Sequence, residues 1–199
     1  NLVSNVIGQS GAKLQLLRGA TLTGWIDPLD VMIDSASTWN MTGDSQVNDL
    51  ALAGTLNITP PQANTFKTLT VEGNYTGNNG LMVFNGALAG DTSPIDKRVI
   101  QGNSTGTTQV SVNNVGGTGA ATLNGIKLIE VQGQSDVEFT QKGRIVAGAY
   151  DYTLARGTGV SSANNWYLTS KLSPGPGPDR RRPEGGSYAA NIAAADHLF

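Results

Sequence analysis

The chain has 199 residues, of which 26 are glycine and only 14% are charged, against about 7% glycine and ~25% charged residues in ordinary globular proteins. Thirteen basic and fifteen acidic side chains leave a net charge of −2, too weak a field to gather nucleic acid or an anionic membrane, so no nucleic-acid partner is expected. With no cysteine and one histidine, His197, the chain has no disulfides, thiolate metal sites, cysteine nucleophiles or histidine-rich metal clusters, and no cofactor is expected.

Its polar residues are mostly Thr, Asn and Ser, which together with Val favour strands and turns over disorder. An all-β fold with many turns follows. No apolar run approaches the ~20 residues that a membrane-spanning helix needs. Asn1 opens no signal peptide, and the chain reads as an interior fragment of a longer protein.

Residues 1 to 64 carry a repeat near 18 residues. The alternating pairs Leu14/Leu16, Val31/Ile33, Leu50/Leu52 and Leu69/Val71 form one series, and Leu22, Trp39/Met41 and Leu56/Ile58 form a second in step with it. Each pair puts two side chains on one face of a strand, which only a stacked neighbour can bury. Two strands per turn are therefore expected, in a parallel β-helix whose rungs share a continuous core. Gly11, Gly19, Gly24, Gly43, Gly54 and Gly73 fall between the pairs, where corners with positive φ are expected.

From 65 to 171 the alternating segments lengthen, as in Lys67 to Val71, Leu81 to Asn85, Val110 to Asn114, Ile126 to Val131 and Val137 to Thr140. Gly77-Asn78-Asn79-Gly80 and Gly116-Gly117-Thr118-Gly119 read as hairpin turns. A β-sandwich or an irregular cap is expected here. Tyr150, Tyr152 and Leu154 alternate on one strand, Trp166 and Leu168 on another, and the intervening loop permits an antiparallel return that closes the domain.

Residues 172–182 form a Pro- and Gly-rich linker that cannot continue a ladder. Over 183–199 a short α-helix is expected, opened by Pro183-Glu184 and carried by five alanines, with Tyr188, Ile192 and Phe199 as its bulky stripe. So short a helix is marginal alone and needs a surrounding partner.

Asp27, Asp30, Asp34, Asp44 and Asp49 could supply paired carboxylates for glycan chemistry or Ca²⁺. No basic residue clusters with them between Arg18 and Lys67, and they read as solvated turn residues. Asp91 to Asp96 reads as a turn-initiating loop. His197 lies beyond the linker and supports no catalytic triad with the β body.

Several stretches together resemble the C-terminal part of an autotransporter passenger of the pertactin and AIDA-like adhesin type, surface proteins of Gram-negative bacteria exported by type V secretion. They are Thr38-Trp39-Asn40-Met41-Thr42-Gly43-Asp44-Ser45, Leu69 to Gly80, Gly90 to Gly102, Ile145 to Leu154, Asn165-Trp166-Tyr167-Leu168, and Arg182-Pro183-Glu184 to Asn191. The resemblance implies a right-handed parallel β-helix stem over 1–64, an autochaperone cap over 65–171, and a linker and helix that thread a C-terminal outer-membrane β-barrel. It implies that Tyr150, Tyr152, Trp166, Tyr167 and Leu168 anchor the cap, and that Arg180, Arg181, Arg182, Glu184, Tyr188 and Asn191 contact the barrel lumen. The implied role is structural, promoting passenger folding and display at the cell surface, with adhesion or autoaggregation as further roles and no catalysis. Implied partners are the chain's own barrel, the outer-membrane assembly machinery in transit, and a host surface or another copy. The implied location is the cell surface or outer membrane, reached through the periplasm, with extracellular release as a further outcome. The alternative is a β-helical glycan-active enzyme or a tailspike-like protein.

Overall fold

The computed structural model describes residues 1–9 and 11–170. The expected linker and helix, with Arg180, Arg181, Arg182, Glu184, Tyr188 and Asn191, lie outside the described residues. Among those described there are strands and turns and no helix.

The strands wind as a parallel coil with three faces per turn. The first face stacks Leu2–Val3, Thr21–Gly24, Thr38–Met41 and Thr55–Ile58, then the C-terminal halves of the long strands Tyr75–Gly86 and Ser104–Asn114. The third face stacks Lys13–Leu16, Asp30–Ile33 and Leu50–Leu52, then the N-terminal halves of the same two long strands. Between them lies a second face: Val6–Ile7, Ile26–Asp27, Ser45–Val47, Thr68–Val71, Lys97–Ile100 and Ile126–Val131. Its early members are two or three residues long and show almost no alternation, which is why two strands per turn were expected and three are found. Ile26 meets its successor through its N–H, which donates to Ser45 Oγ at 3.2 Å.

Leu69 and Val71 belong to this second face, where they stack on Ser45 and Val47. The true successor of Leu50 on the third face is Tyr75. The column Leu14, Val31, Leu50, Tyr75, Ser104, Ser135 widens in sequence because residues 59–67, 87–96 and 115–125 are loops inserted at one corner, between the first and second faces.

Gly77 to Gly80 forms no hairpin. It lies inside Tyr75–Gly86, where the strand passes from the third face to the first through a register shift between Asn78 and Gly80, with Asn79 at φ 62°. Nor does a sandwich form after residue 65. Parallel pairing continues through Glu138–Gln141, and only the last three strands are antiparallel.

Three of the six corner glycines, Gly24, Gly54 and Gly73, serve close stacking rather than positive φ. Gly11 and Gly19 do have positive φ, but a Cβ on Gly24 would lie 2.0 Å from Ser4 O, and one on Gly54 would lie 2.2 Å from Asp34 O. The corner between the second and third faces repeats this. Gly73, Gly102 and Gly133 stack in line, each donating its N–H to the carbonyl of the coil before, at Asn48, Gly73 and Gly102. The neighbouring side chains form a second line. Asp49 accepts from Asn74 N–H, Asn74 from Asn103 N–H, and Asn103 from Gln134 N–H, at 2.7, 2.9 and 2.9 Å. Each corner amide that the coil cannot pair along its own face is thus satisfied by the preceding coil.

One apolar core runs the length of the coil, from Leu16 and Leu22 to Tyr152, Trp166 and Leu168.

Candidate functional site at the closing end of the coil

A parallel coil leaves an open ladder wherever it stops, and exposed strand edges invite wrong pairing. Here the last coil is closed by a meander of Ile145–Ala147, Tyr150–Arg156 and Trp166–Thr169. Gly148, at φ 52°, turns the first hairpin. Residues 157–165 turn the second, through Gly157 N–H to Asn165 O and Asn165 N–H to Ser162 O. Trp166–Thr169 then pairs antiparallel with Ile126–Val131, the last strand of the second face, shifting register between Lys127 and Ile129. Beyond the paired segment, Asn165 Oδ1 accepts the Val131 N–H.

The five residues expected to anchor this end divide by strand phase. Tyr152, Trp166 and Leu168 are buried, and Leu168 faces the buried Leu154 across the two strands. Tyr150 is half-buried and packs against the core edge, while Tyr167 is half-buried on the outward phase of its strand. The Tyr152 hydroxyl receives the Ala120 N–H at 3.0 Å and donates to Ala89 O at 2.7 Å, so one phenol ties two corner loops to the closing hairpin. Burial pushes this phenol above its ordinary pKa. Just after the closing strand, Thr122 N–H donates to Ser170 Oγ and Ser170 N–H donates to Thr122 Oγ1.

Sequence reading missed the residues that join this end to the coil. Tyr75, from the fourth coil, stacks on Phe139 with ring centres 6.0 Å apart, and Phe139 meets Trp166 edge-on at 5.5 Å. Small Ser104 and Thr108, both buried in the intervening coil, leave the aromatic rings room to meet. An arginine stands at each end of the three rings. Arg98 Cζ lies 4.0 Å from the Tyr75 ring centre, and Arg156 Cζ lies 4.7 Å from that of Trp166. Arg156 also donates to Ser135 O and Val137 O, carbonyls of the last coil, and to Ala163 O of the closing loop.

Asp96 is fully buried and accepts from Lys67 N–H, Asn85 N–H and Asn85 Nδ2, tying the first-face strand to two second-face strands. Asp91 holds the loop before the last second-face strand by accepting from the N–H groups of Leu123, Asn124 and Gly125. Burial acts to raise the Asp91 carboxyl, but these donors outweigh it and its pKa is lowered. In the early coils the carboxylates bind backbone too. Asp34 accepts from Arg18 and Ala36, and Asp44 from Thr68. Among the described residues no group of three His, Asp or Glu could hold a metal ion.

A parallel β-coil with a continuous core and a folded-over antiparallel end fits an autotransporter passenger region, and the comparisons with known proteins show that class. The Autochaperone Domain Type 1 family model matches residues 45–154, more than half the chain, and the chain belongs to that family. The matched span runs from the second face of the third coil into the closing meander. The chain is similar to YdeU of Escherichia coli K12, 52% identical in a 149-position alignment that covers 66% of this chain and 32% of the relative. It is also similar to YuaQ of the same strain, 42% identical over 98% of this chain and 14% of the relative. A third relative is the Escherichia coli autotransporter adhesin AIDA-I, 46% identical over 70% of this chain and 11% of the adhesin. The chain thus spans about a third or less of the curated relatives it matches.

Proposed function

We propose that this region is the self-closing stem of a surface-displayed passenger, and that its C-terminal end folds first and templates the coils before it. The antiparallel closure carries this reading. It pairs the second-face edge of the last coil and continues the core beneath it, so that end is stabilised by its own chain. In a solenoid each unit is stabilised by its neighbours, so a unit that is stable alone can seed the next. Folding outside the cell by this route needs no nucleotide and would draw the remaining chain outward.

The domain division offered is a stem over 1–64, a cap over 65–171, a linker over 172–182 and a pore-threading helix over 183–199. Right-handed winding belongs to the same reading, since parallel crossovers take that hand in ≈ 98% of cases. The partners are the protein's own outer-membrane barrel and the assembly machinery met in transit, and the location is the cell surface. Adhesion to a host surface or self-association belongs to the complete passenger, and no catalysis is part of this reading.

Pulse hydrogen exchange during refolding of the 199-residue chain tests the order. Amides in 126–169 should gain protection before those in 13–52. Earlier or simultaneous protection of 13–52 refutes templating from the closed end.

A further inference from the structure

We propose that Arg98 is a positioning residue that couples closure of the C-terminal end to the coils around Tyr75, so that the two open and close as one unit. This rests on the reading of the closed end as a folding template and names the device that would transmit its order.

Arg98 sits in an unlikely place. On the second face its inward neighbours above and below are Leu69 and Ile129, so a guanidinium fills the middle of an apolar column. It is 1% exposed, and no carboxylate among the described residues forms an ion pair with it. Asp96, the buried acid two residues earlier, is committed to Lys67 and Asn85. One nitrogen, Nη1, points at the Met82 thioether, while Nε and Nη2 have no acceptor among the described residues. Burial lowers its pKa to about 10, and it therefore stays charged at neutral pH.

A buried charge without a paired anion is a poor source of stability, and an apolar residue of similar size is often neutral or better there. What Arg98 has in place of an ion pair is the face of Tyr75. A cation over a ring is most favourable when desolvated, so this contact depends on water staying out of the core. Tyr75 in turn stacks on Phe139, and Phe139 on Trp166 of the closing strand. If Trp166 leaves, Phe139 loses its edge contact and water reaches the ring stack. Water then reaches Arg98 Nε and Nη2, which the closed core leaves without acceptors, and this gain in hydration spreads the opening into the fourth and fifth coils. An apolar side chain at position 98 has no such sensitivity, so opening at the end would stop at the end.

The test is a mutant cycle read by hydrogen–deuterium exchange on the full chain, following peptides from 45–86 and from 126–169. With Arg98 present, Trp166→Ala should speed exchange about tenfold or more in both regions. In the Arg98→Met background the same substitution should speed exchange in 126–169 while leaving 45–86 within about twofold. Arg98→Lys keeps a buried cation beside the Tyr75 ring and should behave as Arg98 does. Equal responses of 45–86 in all three backgrounds would overturn the proposal while leaving the refolding order, and the template reading, untouched. Failure of both Arg98 variants to fold would also overturn it, because the residue would then be a general requirement of the core rather than a coupler.

Discussion

Trp166→Ala removes the largest side chain of the closing strands, and its cost can be worked from its surroundings. The indole is 4% exposed, meets Phe139 edge-on at 5.5 Å and carries the Arg156 guanidinium at 4.7 Å. Truncation of a buried Trp to Ala costs ~3–5 kcal/mol, including the cavity left behind. One feature of the site pulls this down: Nε1 is buried without an acceptor among the described residues, so truncation also relieves an unpaired donor. We therefore expect about 3 kcal/mol, at the lower end of that range. Trp166→Phe keeps ring contact with both neighbours and removes the same donor, and should cost less than ~1.5 kcal/mol, as volume-tolerant core swaps do. Urea denaturation of the 199-residue chain, followed by far-UV circular dichroism, measures both. A loss below ~1 kcal/mol for Ala, or a Phe variant as unstable as Ala, would refute the packing argument.

Tyr152→Phe leaves the Ala120 N–H and the Ala89 carbonyl without their partner, and should cost about 1–3 kcal/mol with faster exchange in 87–96 and 115–125. Gly102→Ala places a Cβ 2.3 Å from Gly73 O and should destabilise the stacked corner by more than ~1 kcal/mol, whereas Gly43→Ala, 3.4 Å from the Trp25 ring, should fall within about ±0.5 kcal/mol in the same urea titration. Asp91 has a lowered folded-state pKa, so its contribution is present above the unfolded value near ~3.9 and is lost as pH falls through the folded value. Stability curves from pH 6 to 2 should therefore drop less steeply below about pH 4 for Asp91→Ala than for the parent, and parallel curves would contradict this.

The coil itself was legible because its first and third faces alternate cleanly: Leu22, Trp39, Met41, Leu56 and Ile58 point inward as the pattern requires. The second face was not legible. Ile26–Asp27 contributes a single inward side chain, and a period-two pattern needs at least two. At the closing end the alternation of large apolar residues marks Tyr152, Trp166 and Leu168 as inward-facing, and they are buried, but it gives no sign of Arg98 and Arg156. In Lys97–Ile100 the usual polarity is inverted: Arg98 is buried and Val99 is partly exposed. The clue was available in the phase of the strand, since Arg98 and Ile100 stand in register with Leu69 and Val71. Composition alone weighs against burying an arginine, and only the neighbouring strand's register corrects that.

The distribution of buried polar groups argues that the two ends of this coil do different work. In the first three coils, Ser37 and Ser45 are the only buried polar side chains among the described residues. The interior there is aliphatic apart from Trp39 and Met41, and such rungs carry few directional contacts that tell one register from the next. From Lys67 onward the interior holds Asn85, Asp96, Arg98, Ser104, Thr108 and Thr122, with Tyr75 and Tyr152 placed to bond them or the loops. Buried polar networks add little net stability, yet misplacing one member leaves its partners unpaired at a cost of about 1–3 kcal/mol each. A register slip of one coil is therefore tolerable in the early rungs and penalised several times over in the later ones. A template must have one register for the chain that stacks on it to inherit one, and the polar interior of the later coils is where that register is fixed.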